Sequence, residues 1–185
     1  MKTVFAAMAL FALVSSPVLA AAKTPEPVGQ LDVESFYKGS WREIARTPSK
    51  LTAGCVASET MFGRTDAGGM ISRESCKTGD AVSGASKGVM GTVKILNPGP
   101  NTKYQITYEG KGPIKARSEY WVLDHGQNWF IASNPSFSQA SIFTRASQPD
   151  QRTKDLLANR LKSLGFNIAR LEWPEQPPEP DQPKR

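Results

Sequence analysis

Apolar and polar side chains alternate over short segments along most of the chain, and turn-forming residues divide the segments. Eight stretches read as strands: residues 41–46, 55–62, 70–76, 85–96, 103–109, 118–124, 128–133 and 140–145. Period-two alternation with many β-branched and aromatic side chains suits a half-buried pleated surface. The separators TDAGG, NPGPN, DHGQ and NPSFSQ supply the Gly, Asn and Pro that tight turns require. Connections this short favour sequential antiparallel pairing, because parallel crossovers need a dozen residues or more. The pattern predicts an all-β fold, an eight-stranded antiparallel up-and-down barrel, whose closure removes exposed edges. A β-sandwich gives much the same pattern.

The alternation also assigns faces. Val56, Ser58, Thr60 and Phe62 share one face of their strand, as do Val89, Gly91, Val93 and Ile95 of another. Tyr120 and Val122 oppose Trp121 and Leu123. Bulky apolar groups therefore stand on both sides, so the outer side needs a cover. The stretch DQRTKDLLANRLKSLG supplies it, as one C-terminal helix packed outside the barrel. Leu157, Leu161 and Leu164, with Leu156 beside them, recur at helical spacing, and Lys154, Asn159, Arg160 and Lys162 form the polar side. Asp150 is the expected N-cap and Gly165 the expected stop. The following NIARLEW reads as a short final strand. The last twelve residues contain five prolines, which rule out a regular helix or inner strand.

The N-terminus changes the compartment. Lys2 precedes an apolar run from Val4 to Val14 and a small-residue stretch with sites for cleavage after Ala20 or Ala22. This is the layout of a secretory signal peptide, too short to span a membrane, which takes about 20 residues. The expected organisation is a signal peptide over 1–22, a flexible lead-in over 23–30, a barrel domain over 31–176 and a disordered tail over 177–185. No cysteine near the cleavage region is placed for a lipid anchor, so the expected product is soluble in the periplasm or secreted. In that oxidising setting a disulfide is the leading reading of Cys55 and Cys76, with two separately buried thiols as the other. If their strands pair around Asp66, the two fall opposite one another. The net charge of +6 is scattered along the sequence rather than gathered on one face, which argues against a nucleic-acid partner. A basic helix allows peripheral contact with membrane lipids.

At DVESFYKGSWREIARTP the chain resembles the lipocalins, and within them the bacterial outer-membrane-associated group and its relative apolipoprotein D. Gly39-Ser40-Trp41 is the Gly-x-Trp signature, and Glu43-Ile44-Ala45-Arg46 matches the bacterial group. Gly54-Cys55-Val56, the YWVLDHGQNWFIASNP block, Phe143-Thr144-Arg145, the helix and the LEW at 171–173 follow in order. The resemblance covers residues 31 to about 176. It implies an eight-stranded cup with a helix outside, Trp41 at its closed end and Arg145 packed across that indole. Gly39, Trp41, Asp124 and Arg145 take structural roles under it. The chain departs from the family at Gln127, where Tyr is common, and in the basic stretch KGPIKARSEYW.

The sequence holds little for catalysis. His125 is the sole histidine and falls in an expected exposed turn. Glu43, Glu119 and Asp124 are isolated acids, as readily ion-pair partners as acid–base groups. No metal, cofactor or catalytic residue is expected, and the chain reads as a binding protein rather than an enzyme. Its ligand would be a small hydrophobic or amphipathic molecule, such as a fatty acid or lysophospholipid. Burying roughly 300 Å² of apolar surface at about 25 cal/mol per Å² gives several kcal/mol before association costs. The wall candidates are Val56, Ser58, Thr60, Phe62, Val89, Val93, Tyr104, Ile106, Tyr108, Tyr120, Val122, Ile131 and Phe143. Lys50, Lys77, Lys87 and, above all, Lys111, Lys115 and Arg117 are basic rim candidates for an acidic headgroup. The competing readings are an enzyme acting on an apolar substrate in the cup and a ligand-free structural or interaction protein. Oligomeric state is not written in the sequence.

Overall fold

The computed structural model describes residues 23–50, 52–110 and 116–178. The signal-peptide reading, Lys111, Lys115 and most of the Pro-rich tail lie outside the described residues. Eight strands run in chain order: β1 (Gly39–Arg46), β2 (Cys55–Arg64), β3 (Met70–Thr78), β4 (Ala85–Ile95), β5 (Lys103–Tyr108), β6 (Arg117–His125), β7 (Trp129–Ser133) and β8 (Ala140–Thr144). Each pairs antiparallel with the next, and β8 returns to β1 to close a barrel. Closure settles the barrel against the sandwich.

A short helix, α1 (Val33–Phe36), precedes β1 and plugs one end. Asp32 caps it by accepting from the Ser35 amide, and the Ser35 hydroxyl and amide together hold its carboxyl below the usual range. Phe36 and Tyr37 then pack edge-on to one another and against Trp41, Phe62, Phe130 and Tyr104. Trp41 is 1 % exposed and donates its indole N–H to the Phe36 carbonyl at 3.0 Å, which satisfies the ring's one polar atom. Arg145 lies across the outer face of that indole, with its guanidinium carbon 3.5 Å from the ring centroid. It donates to the carbonyls of Ser35, Lys38 and Ser40 at 2.8–2.9 Å. Gly39 has φ +69°, a backbone state that a side chain disfavours, and so turns the chain from α1 into β1.

The second helix, α2 (Gln151–Ser163), begins at Asp150, whose carboxylate accepts from the Thr153 amide at 2.7 Å. Leu157 and Leu161 are fully buried against Ile44, Ala45, Leu123, Ile131, Ala140 and Ile142 on the outer wall. Arg160 ties the helix to the barrel, pairing with Asp124 at 2.9 Å and lying 5.0 Å from the Trp129 ring centroid. Asp124 also accepts from the His125 amide. Gly165, at φ +94°, ends the helix. Elsewhere the outward parity of β2 to β5 carries Glu59, Arg73, Lys94 and Gln105.

Several expectations are corrected here. Residues 168–170 form a 3-10 turn rather than a strand, and the segment contributes a single bridge, Glu172 to Arg46. The preceding Asn167 caps that turn, a local bond that competes with strand pairing. The lead-in is anchored rather than loose: Thr24 is buried and donates to the Asn134 carbonyl, and Glu26 pairs with Lys103. His125 is the last residue of β6, half-buried opposite Phe130, rather than an exposed turn residue. Cys55 and Cys76 form a disulfide with Cα atoms 5.4 Å apart. They are not direct register partners, however. The regular β2–β3 register sets Cys76 opposite Ser58, and a bulge between Cys55 and Ala57 brings Cys55 opposite Thr78.

Candidate functional site

The barrel holds a cavity of about 800 Å³, bordered at its open end by Thr47, Thr52, Glu109, Ala116, Asn134 and Gln139 and closed at the other by the aromatic plug. That volume is of the size that takes one small organic ligand. Strand parity decides what reaches it. Ser58 and Thr60 of β2, Val89 of β4, Tyr108 of β5, Tyr120 of β6 and Phe143 of β8 line it. Phe62, Val93, Tyr104, Ile106 and Val122 also face inward but are packed with Trp41, Phe36 and Phe130 into a solid floor. Those five are core and not wall.

Two wall candidates are misplaced by the sequence reading. Val56 falls at the β2 bulge and does not line the cavity, where Cys55 takes the position. Ile131 points outward to α2. It pairs with Ile142, whereas Phe130 pairs with Phe143, so Ile131 and Phe143 cannot share a face. The inward positions of β7 are Phe130 in the floor and Ala132 in the cavity wall. Of the rim candidates, Lys87 and Arg117 line the mouth, whereas Lys50 and Lys77 do not.

The base of the cavity is polar. A bulge between Glu43 and Ala45 turns both Ile44 and Ala45 outward and brings Glu43 and Arg46 inward on β1. Arg46 is 2 % exposed and makes four hydrogen bonds. Its Nη1 donates to Glu43 at 3.2 Å and to Ser58 Oγ at 2.6 Å, its Nη2 to the Cys55 carbonyl, and its Nε to Glu172. Burial pushes the Glu43 carboxyl up, against the lowering effects of Ser141, Arg46 and Ser58. Glu74 reaches in from β3. Its Oε2 accepts from Tyr108 Oη at 2.9 Å and its Oε1 from Tyr120 Oη at a long 3.4 Å, and the two hydroxyls lie 3.2 Å apart. Removal from bulk water pushes the Glu74 carboxyl up to about 7; the Tyr108 bond opposes the shift and the Glu43 charge adds to it. Burial likewise raises both phenols, which stay neutral hydrogen-bond partners near neutral pH.

Glu74, Arg46, Ser141 and Ala132 are among the cavity residues that sequence reasoning missed. For Glu74 a signal exists. It shares strand parity with Ser72 and Cys76, so an inward Cys76 makes it an inward acid. The positions of Arg46 and Ala132 depend on bulge and register, which leave no mark in the composition.

The architecture is an up-and-down cup with a plugged end, an outer helix and an open interior. The chain belongs to the family described as Lipocalin-like domain, which matches residues 31–176. Solved structures agree on the fold. Insecticyanin from the tobacco hornworm Manduca sexta is 18 % identical with a TM-score of 0.64, covering 82 % of this chain and 84 % of that one. The major allergen Per a 4 from cockroaches is 17 % identical with a TM-score of 0.62, covering 85 % and 97 %. The amine-binding protein of Rhodnius prolixus, solved as its tryptamine complex, is 16 % identical with a TM-score of 0.59, covering 83 % and 86 %. No curated protein matches the sequence.

Proposed function

We propose that this chain is an exported binding protein that holds one small amphipathic molecule in its barrel and performs no chemistry on it. The observation that carries this reading is the open cavity of about 800 Å³ above a sealed aromatic floor. Family membership supports it, as does the tryptamine complex of one fold relative. The signal-like N-terminus and the Cys55–Cys76 disulfide support a site outside the cytoplasm, and no described helix is long and apolar enough to cross a membrane. Resemblance to the bacterial lipocalins and apolipoprotein D, carried by Gly39 to Arg46, supports a lipid as cargo. Lys87 and Arg117 at the mouth favour that second reading, a fatty acid or lysophospholipid with its acidic head at the rim. The polar base weighs against it. A chain end pressed onto Glu74 and Glu43 would cost roughly 1–3 kcal/mol for each polar group left without its water.

The test is a titration with the uncharged fluorescent probe N-phenyl-1-naphthylamine. The intact chain is expected to bind one equivalent saturably, and Thr60→Phe, which puts a ring into the cavity, is expected to weaken it at least tenfold. Absence of saturable binding by the intact chain overturns the reading. Displacement of the probe by lauric acid or lysophosphatidylcholine, lost on changing Arg117 to Ser, would favour the lipid.

A further inference from the structure

Two acids share the base of the cavity, and they are treated differently. Glu43 is neutralised by Arg46 at 3.2 Å. Glu74 has no basic side chain within 4 Å among the described residues, and its partners are the neutral hydroxyls of Tyr108 and Tyr120. Four of the five N–H donors of Arg46 go to Glu43, Ser58, Cys55 and Glu172, and none of these bonds reaches Glu74.

The hydrogen-bond count at this spot is unbalanced. Two carboxylate oxygens and two phenol oxygens present many acceptor positions, yet the phenols bring only one proton each. If both phenols donate to Glu74, the 3.2 Å approach between their oxygens has no proton in it. Ser118 adds one further hydroxyl beside Tyr108. The cluster is therefore short of donors on the side that faces the cavity. Its surroundings are aromatic: the Tyr108, Tyr120 and Phe143 rings all line the same space. Ring faces attract a cation within about 6 Å by roughly 0.5–2 kcal/mol.

We infer that the base of the cavity is a subsite for an organic ammonium group, held by Glu74 between Tyr108 and Tyr120, with the ligand's apolar body against Phe143, Val89 and Ala132. This rests on the reading of the cavity as a ligand site and names the class of ligand. An ammonium supplies the three donors that the cluster lacks and the positive charge that Glu74 lacks. An anion placed there meets two carboxylates. The remaining charged groups around Glu74 fit the same orientation. Glu43 and Arg46 on β1 form a closed pair. Lys87 on β4 and Arg117 on β6 stand at the mouth with Glu109. On β2, Glu59 is turned outward to Arg42. The raised Glu74 carboxyl, at about 7, makes the subsite sensitive to pH. An ammonium prefers the ionised acid, so affinity falls as pH falls through 7, and binding at pH 7 expels a fraction of a proton.

The test is calorimetric titration of the full chain with 2-phenylethylamine, 2-phenylethanol and 3-phenylpropionate, alongside the N-phenyl-1-naphthylamine titration. The amine is expected to bind at least tenfold tighter than the alcohol, and the acid more weakly than either. Glu74→Gln keeps the shape of the side chain and is expected to lower amine affinity at least tenfold while leaving the alcohol and the probe unchanged. Without any variant, the amine's enthalpy at pH 7 should depend on the buffer's ionisation enthalpy, which registers the released proton. Equal binding of amine and alcohol, or no binding of either, with the probe still bound overturns this inference alone. Failure of the probe as well overturns the cavity reading beneath it.

Discussion

Replacing Arg145 with alanine tests how the closed end of the barrel is held. The guanidinium makes three hydrogen bonds of 2.8–2.9 Å to the carbonyls of Ser35, Lys38 and Ser40, and a longer one to Phe36. These join the end of β8 to the α1–β1 connection, more than 100 residues earlier. Hydrogen bonds to charged groups contribute about 1.5–3 kcal/mol when desolvated. Arg145 is only half-buried, and water would satisfy the freed carbonyls, so each bond is worth about 0.5–1 kcal/mol here. The stacking on Trp41 adds about 0.5–1 kcal/mol. The expected loss is about 2–4 kcal/mol, measured as the change in unfolding free energy by urea titration followed by circular dichroism. Arg145→Lys should recover less than half, since an ammonium lacks the planar fork that reaches several carbonyls and covers the ring. A double-mutant cycle with Trp41→Leu, which removes the aromatic face, should return the stacking part as coupling. An Arg145→Ala protein within about 0.5 kcal/mol of the parent, the range of ordinary surface changes, would refute the reasoning.

Three further outcomes follow from the same coordinates. Changing Cys55 and Cys76 together to Ala opens a loop with a sequence separation of 21 and should cost about 3 kcal/mol, read by urea unfolding in the absence of reductant. Gly91→Ala would place its Cβ 2.5 Å from the Ile106 side chain and 3.0 Å from the Thr107 carbonyl; about 1–3 kcal/mol of overpacking should appear as a lowered urea midpoint. Stability should also fall as pH rises from 4.5 to 7, because the folded chain holds a proton on Glu74 that the unfolded chain has released. The Glu74 part of the drop is of order 2 kcal/mol, and Glu74→Gln should remove that part in urea titrations across that range, leaving what the raised Glu43 carboxyl contributes.

The fold was legible because its signals are local. The strand segments carry their own alternation and their own turns, and α2 carries its own cap, stripe and stop. The interior was legible only in part. Parity survives as long as a strand is regular, and three strands of this barrel are not. Bulges at Cys55–Ala57, Glu43–Ala45 and Val122–Asp124 each move the residues beyond them out of step. That is why Val56 was assigned to the wall and why Arg46 was not. Ile131 illustrates a second limit. WFIAS has large apolar groups on both faces, so only pairing with β8 tells which face is inside. The division between wall and floor is a third. Phe62, Tyr104 and Ile106 point inward like Ser58 and Tyr108, but depth along the barrel depends on register and on the plug formed by α1. Glu74 is within reach through its parity with Cys76, and its significance comes from having no basic side chain within 4 Å among the described residues.

The central claim is that the barrel holds a ligand, and native mass spectrometry of the gently purified chain tests it most directly. The account predicts a population carrying one extra mass of a few hundred daltons per chain, released on mild activation and absent from Thr60→Phe. Chains at their bare mass only, from protein that also fails to take up N-phenyl-1-naphthylamine, would contradict it.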